Sequence, residues 1–327
     1  NAGLQAWINK TLRENAIDAT VIFSSVMAQY LDVVQAAQRP PMLVDFVDVD
    51  SAKWTQYAAN HKWPMSWLYR REGERLLACE RAIAARAQRS FFVTDNETAL
   101  FQNMAPECVQ RVETMSNGVD ADFFSPDSSR ASPFADRASD PPQFPLVFTG
   151  AMDYWPNIDA VTWFVDEILP KLLLTRPQVR FYIVGRSPPP SVLALASDTV
   201  IVTGTVPDVR PYLQHAALVV APLRVARGIQ NKILEAMAMA RPVVASQSCV
   251  QAIDALPGSE LISALDSADF VREIDTLLTF PDRASAMGQR GRKRVVSSYS
   301  WEAHLSRIDP YLEALHLHEK THEIRSL

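Results

Sequence analysis

The chain has 327 residues, of which 48% are apolar and 21% are charged, a composition typical of a soluble globular protein with one or two domains. Acidic residues outnumber basic residues by 37 to 32, so the sequence lacks the basic excess of a nucleic-acid-binding protein. The three cysteines, Cys79, Cys108 and Cys249, are too widely spaced for a disulfide framework or a zinc site, which favours a reducing, cytoplasmic setting. No apolar run reaches the roughly 20 residues of a membrane-spanning helix, so any contact with the inner face of the cell membrane is expected to be peripheral.

Helical and strand-like stretches alternate in the first part of the chain, as in parallel βαβ units. Their patterns predict strands at residues 19–25, 41–47, 90–94 and 109–115, and helices at residues 4–15 and 66–89. Thr94 and Glu97 have the Ser/Thr-x-x-Glu spacing of a helix N-terminus, which predicts a helix that begins at Asp95. The sequence from Asn117 predicts a turn in which Gly118 can take a positive φ.

A stretch without periodicity separates this part of the chain from a second α/β part. Residues 125–145 are rich in Ser, Pro and Asp and predict a linker between an N-terminal domain, residues 1–124, and a C-terminal domain, residues 146–300. The predicted strands of the second domain are residues 146–149, 179–184, 200–203, 218–221, 242–245 and 260–263. Glycines follow three of these strands, Gly150, Gly185 and Gly204, at the edge where open parallel sheets bind ligands.

The N-terminal domain begins with a helix, where a doubly wound domain usually begins with a strand and a glycine-containing loop. We therefore expect this domain to lack its first strands because the chain is shortened at its start, with Asn1 and Ala2 as a candidate remnant of a cleaved tag. An unusual fold is the alternative.

The stretch with the most chemical information is residues 219–246. After a predicted buried strand, a loop carries Arg224 and Arg227, and Gly228 is predicted to open a helix that carries Lys232 and Glu235 on one face. Such a helix suits a nucleoside diphosphate, because free backbone amides and cationic side chains attract phosphate and a carboxylate can accept both ribose hydroxyls. The alternative is a solvated basic loop with Glu235 in a surface ion pair.

The same stretch, PLR-x(3)-G-x(3)-KILEAMAMARPVV, resembles the donor-site signature of family 4 glycosyltransferases, which are retaining enzymes with the GT-B fold. Further matching segments follow the family's order: NGVDADFFSP at 117–126, FTGAMDYWPN at 148–157, FYIVG at 181–185 and VTGTVPDVRPYL at 202–213. The chain is most similar to the sugar transferases associated with exopolysaccharide and PEP-CTERM loci. The resemblance implies an α/β fold of two Rossmann-like domains whose parallel sheets face a cleft, with a C-terminal helix at residues 301–327 that returns toward the N-terminal domain.

The resemblance also implies roles for individual residues. Glu235 matches the second Glu of the family's E-x(7)-E motif, a ribose contact, whereas the first Glu, which touches the donor sugar, is replaced by Arg227. The family commonly holds the pyrophosphate with an Arg and a Lys after the first strand of its C-terminal domain. This chain has DYWPN there, so Arg224, Arg227 and Lys232 are expected to supply the charge. The implied donor-binding residues are Gly150, Asn157, Val206, Pro207, Arg227, Gly228, Ile229 and Glu235, with Val206 and Pro207 at the base.

In the N-terminal domain, Asp48 and Asp50 form a D-x-D pattern that binds a divalent ion in the other large glycosyltransferase fold. Because enzymes of the GT-B type are usually metal-independent, we expect no metal and no cofactor. Two interpretations of the pair remain, a helix cap and a contact with acceptor hydroxyls or acid/base chemistry.

His61 is the only histidine candidate in this domain, since His316, His318 and His322 lie in a polar tail. Tyr154 and Trp155 either stack on a sugar or base or pack against a neighbouring helix.

The expected activity is transfer of a hexose from a nucleoside diphosphate donor to a lipid-linked saccharide or growing exopolysaccharide, with retention of configuration. Asp48, Asp50, Arg224 and Lys232 are the catalytic candidates, and no protein nucleophile is required. The alternatives are a GT-B sugar-nucleotide epimerase and a nucleotide-binding module without turnover. The basic run at residues 290–294 is either a patch for anionic lipid or a solvated helix face.

Overall fold

A computed structural model describes residues 1–32, 34, 39–59, 61–134, 143–226 and 228–314. The chain divides into two compact units, one formed by Asn1–Ser116 with the residues from Leu305 onward, the other by Asn117–His304. Each unit contains a parallel sheet, four-stranded in the first and six-stranded in the second. The α/β fold class predicted from the sequence is confirmed. No helix in the described ranges combines the length and apolar character needed to cross a membrane.

The strands of the first unit pair in chain order. They are β1 (Thr20–Phe23), β2 (Met42–Val47), β3 (Arg89–Phe92) and β4 (Val112–Thr114). Its helices are α1 (Ala2–Glu14), α2 (Gln29–Asp32), α3 (Asp50–Ala59), α4 (Met65–Arg86) and α5 (Asp95–Met104). The predicted strand at residues 109–115 begins later than expected because Pro106–Arg111 forms 3-10 helix.

The predicted start of α5 is confirmed, since the Thr94 hydroxyl accepts a hydrogen bond from the Glu97 amide at 3.1 Å. The Glu97 carboxylate does not fold back on its own helix. It accepts a hydrogen bond from the Val49 amide at 2.8 Å, so α5 supports the turn between β2 and α3.

Both faces of the first sheet are covered by apolar side chains. On one face Phe46 and Phe92 stack with ring centroids 5.2 Å apart. On the other face Ile308 packs with Leu43 and Phe91. Ile308, with Tyr311 and Leu312 packed beside it, is therefore part of the core of the first unit.

The strands of the second unit have the order β10-β9-β8-β5-β6-β7. They are β5 (Phe144–Thr149), β6 (Val179–Val184), β7 (Val200–Gly204), β8 (Leu218–Ala221), β9 (Val243–Ser246) and β10 (Ile262–Ala264). All six strands were predicted to within about two residues, because most of them are near-continuous apolar runs buried on both faces of the sheet, while the edge strand β7 is only partly buried. The strand order reverses between β5 and β8, which is the position where doubly wound sheets bind ligands.

Helices cover both faces of this sheet. They are α6 (Trp155–Trp163), α7 (Leu169–Thr175), α8 (Pro190–Leu193), α9 (Arg210–His215), α10 (Asn231–Ala238), α11 (Gln247–Val250), α12 (Ser267–Thr279), α13 (Pro281–Ser298) and α14 (Trp301–Leu305). A short π-helical stretch, Phe164–Ile168, connects α6 to α7.

The predicted linker differs from the structure. The unit boundary falls after Ser116, and Val119 and Phe134 are buried in the core of the second unit. Phe134 packs on Tyr182 with ring centroids 4.6 Å apart, a contact that a Ser- and Pro-rich composition does not indicate. Residues 135–142 of the predicted linker lie outside the described residues.

The positive φ allowed for Gly118 is absent. The glycine is required for a different reason, since a Cβ atom at this position would lie 2.8 Å from the ring of Trp301.

The basic run at residues 290–294 is partly a solvated helix face, since Arg290 and Lys293 are exposed, but its three arginines also have partners within the second unit. Arg290 donates to the Ser259 carbonyl at 2.9 Å, and Arg292 donates to the Phe124 carbonyl at 3.1 Å. Arg294 forms an ion pair with Glu260 at 3.1 Å. The three arginines therefore fasten α13 to neighbouring segments of its own unit.

Candidate functional site

A cavity of about 620 Å³ lies in the second unit at the carboxyl ends of β5, β6 and β7, next to the start of α10. Its lining consists of Asn117, Thr149, Gly150, Ala151, Tyr154, Asn157, Val184, Gly185, Arg186, Thr205, Val206, Val209, Ile229, Gln230, Asn231, Lys232 and Glu235. This is the edge of the sheet at which the strand order predicts a ligand site.

Lys232, on α10, is the central cation of the cavity. Its Nζ atom donates a hydrogen bond to Asn157 Oδ1 at 2.5 Å and lies 4.1 Å from the centroid of the Phe148 ring. Burial lowers the pKa of Lys232 to about 7, although the nearby Cys249 and Glu235 act in the opposite direction. An anionic ligand beside this amine would restore its charge.

Asn157 fixes the position of this amine. The Asn157 side-chain Nδ2 donates to the Ala151 carbonyl at 2.8 Å, so its oxygen is directed at Lys232. Asn157 is buried near the start of α6 and is therefore held by both its packing and its hydrogen bonds. The amide acts as a positioning group for the lysine.

Two polar groups in the cavity are available to a ligand. Glu235 lies three residues after Lys232 on α10, and burial raises the pKa of its carboxyl while the charge of Lys232 opposes that shift. The Thr149 hydroxyl, at the end of β5, is buried and has no hydrogen-bond partner among the described residues. A buried polar group without a partner is costly, and a bound hydroxyl or phosphate oxygen would satisfy it.

Glycines keep the ends of β5 and β6 close together. A Cβ atom on Gly185 would lie 1.6 Å from the Gly150 carbonyl oxygen, far closer than the sum of the two van der Waals radii allows. A Cβ atom on Gly150 would lie 2.7 Å from Asn157 Nδ2 and 3.0 Å from Lys232 Nζ. The absence of side chains at both positions leaves the space in which the asparagine and the lysine meet.

Six of the twelve site residues predicted for the whole chain lie together in this cavity. Gly150, Asn157, Val206, Ile229, Lys232 and Glu235 line the cavity, whereas Pro207 and Gly228 are outside its lining. Gly228 has a φ of 63° and precedes α10, which begins at Asn231, so the predicted opening of the helix at Gly228 is wrong.

Arg224 does not supply the cation of the cavity. Arg224 donates its Nε to Asp159 Oδ2 at 3.0 Å and lies beside the Trp163 ring, in a separate cavity along α6. Arg227 lies outside the described residues. Arg186, which was not predicted from the sequence, lines the cavity that contains Lys232. The signal that could have identified Arg186 is its position directly after Gly185, the glycine that follows β6.

In the first unit, Asp48 and Asp50 lie at the carboxyl end of β2, and each accepts a hydrogen bond at 2.9 Å from the Lys53 ammonium group. The cation between these carboxylates is therefore a side chain of the protein. Their oxygens bond to Lys53 in place of the backbone amides expected for a helix cap. No group of three potential metal ligands exists among the described residues.

A buried carboxyl group supports the same turn. Glu80 of α4 accepts hydrogen bonds from the Ser51 hydroxyl at 2.6 Å and from the Ser51 amide at 3.2 Å. Burial raises the pKa of Glu80 from 4.5 to about 7, and these hydrogen bonds only partly oppose the shift.

The raised pKa of Glu80 predicts how stability depends on pH. Between about pH 4.5 and pH 7 the carboxyl ionises in the unfolded chain before it does so in the folded protein, so its contribution to the free energy of unfolding decreases as pH rises. We expect the Glu80→Gln variant to lose this decrease. The difference in the free energy of unfolding between variant and wild type should therefore change by about 3 kcal/mol across the window. Urea unfolding at pH 4.5, 6 and 8 measures the difference, and a constant difference would contradict the prediction.

The remaining aromatic and histidine candidates are placed as follows. Tyr154 lines the same cavity as Lys232, whereas the exposed Trp155 lines the separate cavity along α6. His61 is exposed, its Nδ1 lies 2.8 Å from the Tyr57 carbonyl oxygen, and its ring packs on Tyr69. His316, His318 and His322 lie outside the described residues.

Comparison with known proteins connects this geometry to a fold family. Residues 143–279 match the sequence model of a family described as "Glycosyl transferases group 1". HepE of Anabaena, solved with UDP, has a TM-score of 0.69 and 15% identity to the chain, with 95% of this chain and 82% of HepE covered. This chain has the GT-B glycosyltransferase fold. No sequence among curated proteins matches it.

Two further solved GT-B structures are similar to the chain. Sucrose-phosphate synthase of Thermosynechococcus elongatus has a TM-score of 0.68 and 17% identity, with 96% of this chain and 77% of that protein covered. A TarM variant of S. aureus, solved with UDP, has a TM-score of 0.58 and 16% identity, with coverage of 92% and 57%. The family match covers all six strands of the second unit, which is the part of the GT-B fold that contains the cavity.

Proposed function

We propose that this protein is a glycosyltransferase that binds a nucleoside diphosphate sugar in the cavity at the start of α10 and transfers the sugar with retention of configuration. The observation that carries the proposal is the buried pair formed by Lys232 and Asn157, which presents a cation at the switch point of the sheet. The family match and the UDP bound by HepE and TarM support a nucleotide-sugar donor.

Each polar group in the cavity has a role in the proposed binding and transfer of such a donor. The Lys232 amine and the Arg186 guanidinium would neutralise the diphosphate and stabilise it as the leaving group. The Glu235 carboxylate would accept the ribose hydroxyls, and the Thr149 hydroxyl could donate to a phosphate oxygen. In this mechanism the acceptor hydroxyl attacks the face that the diphosphate leaves, and a diphosphate oxygen takes the acceptor proton. The mechanism needs no protein nucleophile and no metal.

The acceptor is proposed to be a lipid-linked saccharide or a growing exopolysaccharide, with the protein at the inner face of the cell membrane. Asp48 and Asp50 are proposed to contact acceptor hydroxyls, because they lie at the carboxyl edge of the first sheet and Lys53 keeps them oriented. Replacement of either by Asn should then raise the KM for the acceptor without changing the affinity for the nucleotide.

One observation favours transfer over epimerisation of the sugar nucleotide. The described residues that line the cavity include one carboxylate, Glu235, and no histidine. Epimerisation requires acid/base groups at the reacting carbon, whereas transfer with retention can use the leaving diphosphate as the base.

Donor turnover tests the proposed activity. The protein is incubated with UDP-, GDP-, ADP- and TDP-glucose in the presence of a saccharide acceptor, and proton NMR follows the released sugar and the glycoside. Release of a nucleoside diphosphate with a product of unchanged anomeric configuration supports the proposal. Interconversion of the sugar nucleotide without release would support an epimerase, and an inverted product would exclude retention.

The pKa of Lys232 predicts that binding depends on pH. In the empty cavity this amine loses its proton as pH rises through about 7, whereas a diphosphate favours the protonated form. Affinity for a nucleoside diphosphate should therefore fall about tenfold between pH 7 and pH 9, a range in which the phosphates, with a pKa of about 6, stay ionised. The Lys232→Arg variant keeps its charge over this range and should show a flat profile. An equally steep profile in that variant would assign the dependence to another group.

A further inference from the structure

The first unit presents an exposed aromatic surface that the donor site does not explain. Residues 61–71, HKWPMSWLYRR, form the connection between α3 and α4 and the first turns of α4. Trp63 is 80% exposed and Trp67 is 60% exposed, and Met65 and Leu68 are exposed beside them. We call residues 61–71 the aromatic tip. Single exposed apolar side chains are normal on a protein surface and need no explanation. Four large ones within six residues form a patch, which does need one.

The aromatic tip rests on packed side chains. Tyr69, within the tip, packs on Trp54 of α3 with ring centroids 5.6 Å apart, and the His61 ring contacts Tyr69 at 5.0 Å. His61 Nδ1 also lies within hydrogen-bond distance of the Tyr57 carbonyl oxygen. The buried side of the tip is therefore occupied, and Trp63 and Trp67 face solvent on a supported base.

The charge of the aromatic tip is opposite to that of the whole chain. It contains Lys62, Arg70 and Arg71 and no acidic residue, whereas the chain has a formal charge of −5. Arg71 pairs with Glu72 at 2.8 Å, but Lys62 and Arg70 form no ion pair with any described residue. Two exposed cations next to two exposed tryptophans are thus available to an anionic partner.

We propose that the aromatic tip binds the surface of an anionic membrane. Tryptophan is enriched at the level of lipid headgroups, and basic side chains next to an apolar surface add attraction to anionic lipid. Tryptophan, methionine and arginine are also enriched in protein interfaces, so a protein partner is the alternative that the test has to exclude. The proposal rests on the membrane location proposed above and gives it a surface, but it does not depend on the proposed donor chemistry.

Vesicle co-sedimentation of the full chain without nucleotide tests the proposal. Vesicles of phosphatidylcholine with 30% phosphatidylglycerol are compared with vesicles of pure phosphatidylcholine. We expect binding to the anionic vesicles, weakened in 0.5 M salt. The double variant Trp63→Ser/Trp67→Ser should bind at least tenfold more weakly, and Lys62→Ala and Arg70→Ala should each lose about fivefold.

Two matched variants serve as controls. Trp155→Ser removes a tryptophan of similar exposure, 59%, from the second unit, and Lys293→Ala removes an exposed lysine from the basic run of α13. Both should bind like wild type, and circular dichroism with thermal melting checks that every variant is folded. Absence of vesicle binding, equal binding to neutral vesicles, or equal loss in the control variants would overturn the proposal. Concentration-dependent dimerisation abolished by Trp63→Ser/Trp67→Ser, without vesicle binding, would assign the tip to a second copy of the chain.

Discussion

Replacement of Lys232 by Met should weaken the binding of a nucleoside diphosphate by about 2–3 kcal/mol, or roughly 30- to 150-fold, at pH 7. The amine is buried beside the Phe148 ring and is held by Asn157, so its bond to a phosphate would be charge-assisted and shielded from water. Methionine has a similar length and keeps the apolar part of the packing. The loss should therefore report the charge and its hydrogen bonds.

Calorimetric titration measures this effect, and the unphosphorylated nucleoside provides the control ligand. Because the nucleoside has no diphosphate, its affinity should be nearly the same for wild type and for Lys232→Met. The Asn157→Ala variant should show a smaller loss, in the same direction, since the amine would remain but would no longer be oriented. If Lys232→Met binds the nucleoside diphosphate as wild type does, the phosphates lie elsewhere.

Replacement of Gly185 by Ala should lower the free energy of unfolding by more than about 3 kcal/mol, beyond the usual cost of overpacking. The added Cβ atom would lie 1.6 Å from the Gly150 carbonyl oxygen, and this contact is with backbone, which cannot rotate away. The ends of β5 and β6 would have to separate, although they form the floor of the cavity.

Urea unfolding measures this loss, and Gly258→Ala is the matched control. Gly258 has open space around its Cβ position but a φ of 80°, so alanine there should cost only about 1–2 kcal/mol of backbone strain. Equal stabilities of Gly185→Ala and wild type would show that the two strand ends are less closely packed than described.

The sheet of the second unit was predictable because its strands are short apolar runs buried on both faces, separated by glycines and helical sequence. The strand pattern of the first unit followed from the same signal. The limits of the linker could not be predicted from this signal. Phe134 packs on Tyr182 in the core of the second unit, and a contact between residues so distant in the chain leaves no local sequence pattern.

The candidate site was predictable where its residues lie on regular elements. Lys232 and Glu235 share a short helix, and Gly150 follows a strand, so their spacing was enough to place them. For residues in loops, spacing along the sequence does not predict where the side chain lies. Arg224 forms an ion pair with Asp159, which lies 65 residues earlier in the chain, so no local pattern predicts this contact. Arg186 lines the cavity but was not predicted, because it belongs to none of the motifs.

Calorimetric titration of the whole chain with UDP, GDP, ADP and TDP tests the central claim most directly, namely that the cavity at the start of α10 binds a nucleoside diphosphate. The account predicts that at least one of the four binds and that Glu235→Ala weakens this binding by about 1–3 kcal/mol, because a buried carboxylate would no longer accept the ribose hydroxyls. The nucleotide preferred by the wild-type protein would identify the donor series for the turnover experiment. Absence of binding by all four nucleotides, or binding that Glu235→Ala leaves unchanged, would contradict the assignment of this cavity.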